Sequence, residues 1–384
     1  MLKFVKSAKF LIFLIVFVNF LGYGIVFPLL PLMTIKYGGT PLLSGVMIGA
    51  FSLAQVFAMP IMGGLSDRYG RKPLLLISLW GTVISFLIMG LTHSLWWLLI
   101  ARILDGASGG NLSIAQAYIA DVSTKKDRAA GMGIIAAGLS LGFIFGPLWG
   151  GFFSKISYAF PFFAASAITL LSILLTHFFL KESVSRQEIK YEKSHFQLFQ
   201  FLPGLLKSQF LLLFAISLFI FWAQSGLFAI MTLFANDILR LTVPQVGVLF
   251  ALSGIVSAVI QAFAVTSTVK VFGEKRLFIL SVITAAVGML ILTITRSSIM
   301  LVVGTTVFAL GSSFLLPLTQ AFVSEKSSEH EQGGNMGLLQ SFGSIGRIFG
   351  PVLAGYAYQT LGPWSPAAIG TIIFLIVLFL GLKI

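Results

Sequence analysis

Apolar residues run along this chain in blocks of about twenty, separated by short polar stretches, with no sign of period-two alternation within the blocks. A helix needs roughly 20 apolar residues to cross the hydrocarbon of a bilayer. The first half offers blocks at 10–34, 43–63, 74–92, 96–119, 129–151 and 160–180. The second offers 209–234, 244–266, 277–294, 299–322, 333–356 and 364–382. Irregular backbone cannot face lipid, and a barrel would show alternation, so each block is expected to be a transmembrane helix. The fold class that follows is an all-α membrane protein of twelve transmembrane helices.

The polar breaks near 64–73, 120–128, 181–208, 267–275 and 323–332 alternate with breaks of a different kind. Of the 25 lysines and arginines, only Lys36, Lys155, Arg240 and Arg296 fall in the other set, and Arg102 and Arg347 fall inside apolar blocks. Cations concentrated on one side are the positive-inside bias, which puts both termini in the cytoplasm. The net charge of +13 is therefore a topology signal and gives no support to nucleic acid as a partner. Lys3, Lys6 and Lys9 precede an apolar run too long for a secretory signal, so that run reads as the first span. The break at 181–208 is the longest and carries an amphipathic stretch, HFQLFQFLPGLLKS. It joins the halves as a surface tether, with a regulatory element as the other reading.

The chain also repeats itself. Residues 115–121 read AQAYIAD and 319–325 read TQAFVSE, while 132–151 and 336–355 share MG, G, GP and G at a constant spacing of 204. A half-length repeat in an apolar chain implies two homologous bundles, here 1–180 and 209–384, joined by the 181–208 linker. Composition fits: 57% hydrophobic, 10% charged and a mean hydropathy of +1.00 leave too little charge to cover a water-facing surface. With no cysteines, disulfides and thiolate metal sites are excluded.

Four patterns carry chemistry. The break after the second block holds Gly63, Asp67, Arg68, Gly70 and Arg71, where Gly70 permits a tight turn. A carboxylate there can pair with Arg71 or cap a neighbouring helix. The first block carries Gly22, Gly24, Pro28 and Pro31, which interrupt helix bonding at membrane depth. The fifth carries Gly133, Gly142, Gly146, Pro147, Gly150 and Gly151, small residues for close helix approach plus one kink. The fourth carries Arg102 and Asp105, three apart and hence on one helical face. Charges at membrane depth pair and face a cavity.

These patterns together resemble the major facilitator superfamily. G-x-L-x-D-R-x-G-R-K is similar to its signature loop, L-G-x-G-x3-P-x2-P to a first-helix motif, and G-x8-G-x3-G-P-x2-G-G to the motif of its drug–proton antiporters. The resemblance implies two pseudo-symmetric six-helix bundles around a central cavity and a cytoplasmic charge network of Asp67, Arg71 and Asp121. It implies a proton-coupled secondary transporter that exports small amphipathic compounds, monomeric, without cofactor, in a bacterial inner membrane. The fourth-helix motif resembles R-x-x-Q-G, yet Asp105 stands in for the usual polar residue. That substitution creates a protonatable site with its own counter-ion, so Asp105, poised by Arg102, is the expected coupling group; a static ion pair is the plain alternative. Asn19, Tyr23, Asn111, Gln116, Gln224, Gln261, Gln320, Gln340 and Arg347 are candidates for the cavity wall, and interhelical hydrogen bonding explains any single amide equally well. Arg347 either meets an anionic substrate group or snorkels and pairs.

Other functions find less support. The histidines His93, His177, His195 and His330 lack metal-ligand spacing, and no Walker loop, nucleophile elbow or HExxH occurs. Neither ATP-driven transport nor enzymatic hydrolysis is expected. A sugar or metabolite carrier on the same fold is the nearer rival, and a non-transporting sensor or scaffold the more distant one.

Overall fold

A computed structural model describes residues 7–124, 127–183, 208–328 and 331–384. Lys3, Lys6, His195, His330 and most of the expected linker, 184–207, lie outside the described residues. The described residues form twelve spans: α1 (Ala8–Lys36), α2 (Pro41–Tyr69), α3 (Arg71–Leu91), α4 in two pieces, α4a (Leu95–Ser108) and α4b (Asn111–Val122), α5 (Arg128–Phe153) and α6 (Phe160–Phe179). Then come α7 (Ser208–Leu239), α8 as α8a (Val243–Val259), a π-helical turn (Ile260–Ala264) and α8b (Val265–Phe272), α9 (Glu274–Thr293), α10 (Ser298–Lys326), α11 (Gln332–Leu361) and α12 (Ser365–Gly381). Among the described residues nine of these spans, α8 counted through its π turn, are long and apolar enough to cross a bilayer.

Three departures from the sequence reading have local causes. The polar stretch at 64–69 is not a loop, because α2 stays helical through Tyr69 and stops only at Gly70, whose φ of +98° no other residue adopts cheaply. The expected single span at 96–119 is broken at Gly109 and Gly110. Two adjacent glycines weaken the helix there, and the carbonyls released by the break find donors on neighbouring helices: Ser78 Oγ donates to Ser108 O and Gln55 Nε2 to Gly109 O at 3.4 Å. The eighth span contains the π turn, in which Val265 N–H donates to Ile260 O rather than one residue nearer.

The spans divide into two compact units. The first holds α1 as far as Met33, α2 from Ala50 onward, α3 to α6, and the opening turns of α8a, Val243–Ala251. Its apolar core is built by α1, α3, α4b and α6, with Leu11, Ile15, Leu75, Leu79, Ile114 and Ile119 all at 1% exposure or less. The second unit holds Thr34–Gly49, α7, α8 from Leu252, and α9 to α12. There α7 packs along α11, and α9 packs against α10 and α12.

Glycine seams recur in both units with the register of the repeat. In the first, Gly142 and Gly146 of α5 lie against the backbone of α1 at Phe17, Leu21 and Gly24. In the second, Gly346 and Gly350 of α11 lie against the backbone of α7 at Leu218 and Trp222. Without a hydrophobic force between helices in lipid, close backbone approach is what supplies the packing energy.

Candidate functional site

Of the signature-loop residues, Asp67 converges on Arg71, as does Asp121. The Arg71 side chain is nearly buried and bridges two carboxylates: Nη1 reaches Asp67 Oδ1 at 2.5 Å, and Nε reaches Asp121 Oδ2 at 3.1 Å. Nη1 also donates to Ser66 Oγ at 2.6 Å, whose own hydroxyl donates to Gly63 O at 2.7 Å. Asp67 is the exposed partner and Asp121, at the end of α4b, the more sheltered one. The Arg68 guanidinium lies over the ring of Tyr69 at 5.3 Å.

A third carboxylate, unforeseen in the sequence, completes the cluster. Glu182 follows α6 and accepts the Arg71 and Lys72 backbone N–H groups at 2.8 and 3.1 Å, so it caps α3 from outside the helix. A helix start leaves such N–H groups orphaned and carries partial positive charge, which suits a carboxylate. Asp67 had been the candidate for either pairing or capping; it pairs, and Glu182 caps. The approach needs Gly70, since a Cβ there would sit 2.5 Å from Glu182 Oε2. Ser183 Oγ also donates to Asp121 Oδ2 at 2.9 Å, and Tyr118 Oη to Lys181 O at 2.9 Å, so the chain end beyond α6 is tied to α4b as well. Glu182 lay in what the sequence assigned to the linker, and no local pattern there marks a cap for a helix 111 positions upstream.

Deeper in the first unit, Arg102 Nη1 donates to Asp105 Oδ2 at 2.6 Å, with the residues 0% and 3% exposed. The guanidinium carbon lies 4.4 Å from the centre of the Phe51 ring, a cation–π arrangement. Tyr23 packs on that same Phe51 ring at 5.1 Å and meets Phe27 edge-on at 5.0 Å. Phe143 of α5 and Phe250 of α8a close on Phe27 at 6.1 and 5.9 Å. The ion pair thus sits beside an aromatic cluster drawn from four spans. Arg102 Nε and Nη2, and Nδ2 of the buried Asn111, have no acceptor among the described residues. Buried donors without partners are costly, and at a functional site they mark where a ligand or water enters.

The α4 break lies one turn beyond Asp105, and Gly109 N–H donates to Asp105 O at 2.9 Å. Gly106 sits against the Phe51 backbone, which brings α4a and α2 together at the level of the pair. Asn19 of α1 is buried, 6% exposed. On α4b, Gln116 is exposed. Of the α5 motif, Gly150 meets Ile25 and Pro28 of α1, Gly151 meets Val243 and Pro244 of α8a, and Gly133 has nothing within 4 Å. Pro147 and Gly247 are also in backbone contact.

In the second unit, Arg347 Nη2 donates to Ser344 Oγ at 2.8 Å, with its guanidinium 4.6 Å from the Phe221 ring. Gln224 and Gln320 are half-buried, while Gln261 and Gln340 are exposed. Ser225, beside Gln224, donates to Phe221 O on its own helix at 2.6 Å. A further polar tie, Tyr358 Oη to Asp237 Oδ2 at 2.6 Å, joins α11 to α7. Among the described residues no group of three acidic or histidine side chains is placed to hold a metal.

Comparison with known proteins identifies the family and the fold. The family model described as the Major Facilitator Superfamily matches residues 12–270 and 237–383. Multidrug resistance protein 2 of Bacillus subtilis (strain 168) is 32% identical over 350 residues, covering 90% of this chain and 87% of that protein. Tetracycline resistance protein, class C, of Escherichia coli is 31% identical over 367 residues, covering 93% and 92%. The solved structure of the nucleoside transporter NupG superposes with a TM-score of 0.82 at 14% identity, over 98% of each chain. An inward-facing bacterial homolog of the human lysosomal transporter Spinster superposes with a TM-score of 0.80 at 15% identity, over 98% of this chain and 95% of that one. At those identities the two structures speak to the fold alone. A family match along almost the full length, on a helical fold with repeated glycine seams, identifies an integral membrane protein: the chain belongs to the Major Facilitator Superfamily.

Proposed function

We propose that this protein exports small amphipathic compounds across the membrane in exchange for protons, by alternating access. The observation that carries the reading is the buried Arg102–Asp105 pair beside the Tyr23, Phe27, Phe51 and Phe143 cluster, with donors on Arg102 and Asn111 left without acceptors. Asp105 is the proton carrier in this reading. Protonating it removes the counter-charge from Arg102, and the freed guanidinium then requires another acceptor or a different placement. Aromatic faces beside a carboxylate suit a flat, lipophilic, often cationic compound. A sugar would need more convergent amides than this cluster offers. Two curated relatives are a multidrug and a tetracycline resistance protein, which supports the same substrate class.

In the same reading the two halves, 1–180 and 209–384, move against each other with both termini in the cytoplasm of a bacterial inner membrane. The protein acts as a monomer and needs no cofactor beyond the proton gradient. Asn19, Tyr23, Asn111, Gln116, Gln224, Gln261, Gln320, Gln340 and Arg347 remain the candidates for substrate contact.

The test is proton release from purified protein on addition of tetracycline or tetraphenylphosphonium, paired with gradient-driven transport in proteoliposomes. Wild type is expected to release protons and transport. Asp105→Asn is expected to lose both while still exchanging substrate across the vesicle without a gradient. Intact proton-driven transport by Asp105→Asn refutes the assignment, and absence of flux for wild type with every compound favours a sensor or scaffold.

A further inference from the structure

The two copies of the second helix of each half differ in length by one residue, and the structure shows where. Gly45 of α2 and Gly247 of α8a are equivalent: each lies directly against a proline carbonyl, Pro351 O for Gly45 and Pro147 O for Gly247, and those prolines are 204 positions apart. Gly355 and Gly151 repeat the match, meeting Pro41 and Val243 respectively. At the other end, Gly70 and Gly273 are equivalent too, each with a positive φ of +98° or +73° and each preceding the next helix. Gly45 and Gly70 are 25 positions apart, whereas Gly247 and Gly273 are 26 apart. The extra residue of α8 is absorbed at Ile260–Ala264, the one π-helical element among the described residues. A single-residue insertion into a helix is accommodated by such a turn without loss of register on either side.

The copy in α2 has no π turn, but it has Pro60. Counted from Gly45, the position equivalent to Pro60 is Ala262; counted back from Gly70, it is Phe263; both lie within the π turn. Proline removes the N–H that would bond Val56 O and crowds the preceding turn, which softens the helix there. Two unrelated devices therefore weaken the two copies at one depth.

Their location has a mechanical reason. Helix α2 begins in the second compact unit and continues in the first from Ala50, and α8 begins in the first and continues in the second from Leu252. Each is anchored early by its glycine on a proline carbonyl and late by the glycine turn after it, with the soft point between. We propose that Pro60 and the residue inserted at Ile260–Ala264 are equivalent positioning devices, each letting its helix bend between two anchors during the transport cycle. This rests on the alternating-access reading above.

Interchange of the two devices tests it. Deleting Ala262 restores the α2 spacing and should yield a regular α8. In that background, Phe263→Pro places a proline 15 positions after Gly247 in the shortened chain and ten before Gly273, the placement of Pro60 between Gly45 and Gly70. The deletion is expected to lower maximal flux about tenfold with little change in KM, and the added proline to restore it. In α2, Pro60→Ala is expected to raise thermal stability and lower maximal flux, a combination that a packing role does not give. Because the chain has no cysteine, labels at Val248→Cys and Phe272→Cys are unique, and their distance distribution should narrow on deletion whether or not flux is measurable. Wild-type flux in the deleted protein and in Pro60→Ala, no rescue by the proline, or an unchanged distribution overturns the proposal. Loss of wild-type flux with a narrowed distribution would instead count against the transport reading alone.

Discussion

Gly70→Ala combines two penalties that the geometry keeps separable. The backbone at Gly70 has φ +98°, where an alanine carries strain of about 1–3 kcal/mol. The new Cβ would also lie 2.5 Å from Glu182 Oε2, so the carboxylate must leave the N–H groups of Arg71 and Lys72. Loss of an N-terminal cap costs about 1 kcal/mol, and the exposure of Glu182 argues against a larger figure. Gly70→Ala should therefore destabilise by about 2–4 kcal/mol, being the sum of strain and lost cap. Glu182→Ala alone should cost about 1 kcal/mol. In the double variant the cap is already gone and only strain remains, so the two changes should fall short of additivity by about 1 kcal/mol. Unfolding by denaturant titration in detergent micelles, with intrinsic tryptophan fluorescence as the signal, measures all four corners of the cycle. Additivity within about 0.5 kcal/mol would refute the collision between Gly70 and Glu182.

Two further outcomes follow from the same geometry. Asp121→Asn should cost more stability than Asp67→Asn, because the exposed Asp67 pair is worth less than about 1 kcal/mol while Asp121 is the sheltered partner of Arg71; equal losses in the same titration would contradict this ranking, and Asp67→Asn should insert normally yet transport poorly. Gly146→Leu drives a side chain into the backbone of α1 at Leu21 and Gly24, so it should reduce folded yield or block transport; normal yield with normal flux would show that the seam tolerates separation.

Spans and seams were legible in the sequence because lipid enforces them. Uncharged runs of sufficient length leave no alternative to helix, and the glycines of α5 and α11 repeat at a fixed offset because the same close approach occurs twice. Arg102 with Asp105 was legible as a pair for the same reason: ionised groups near lipid need partners. Asp67 was open between pairing with Arg71 and capping a helix, and Asp121 entered only through the resemblance to the family's signature loop. What escaped was set by tertiary contact. The break at Gly109 and Gly110 is stable only because Ser78 and Gln55 supply donors from other helices. The π turn has no compositional signature and shows only when the two copies are counted against each other. Glu182 acts on a helix more than a hundred positions away, and the aromatic cluster at Phe51 was hidden among 38 phenylalanines.

The fourth span has a consequence for biosynthesis. An ionised Arg or Asp at the centre of a nascent helix costs about 2.5–3.5 kcal/mol to insert, so Arg102 and Asp105 together oppose entry by about 5–7 kcal/mol. The nine leucines and isoleucines of α4 return about 0.3–0.6 kcal/mol each, about 3–5 kcal/mol together, which at best balances the lower end of that cost. Entry of α4 depends on groups that quench its polarity: the Phe51 ring under Arg102, Gln55 at Gly109 and Ser78 at Ser108. All three belong to α2 and α3, which leave the ribosome first. The chain synthesises the receptor for its least lipophilic early helix before that helix itself, and the order of the spans is part of how the ion pair reaches the membrane interior.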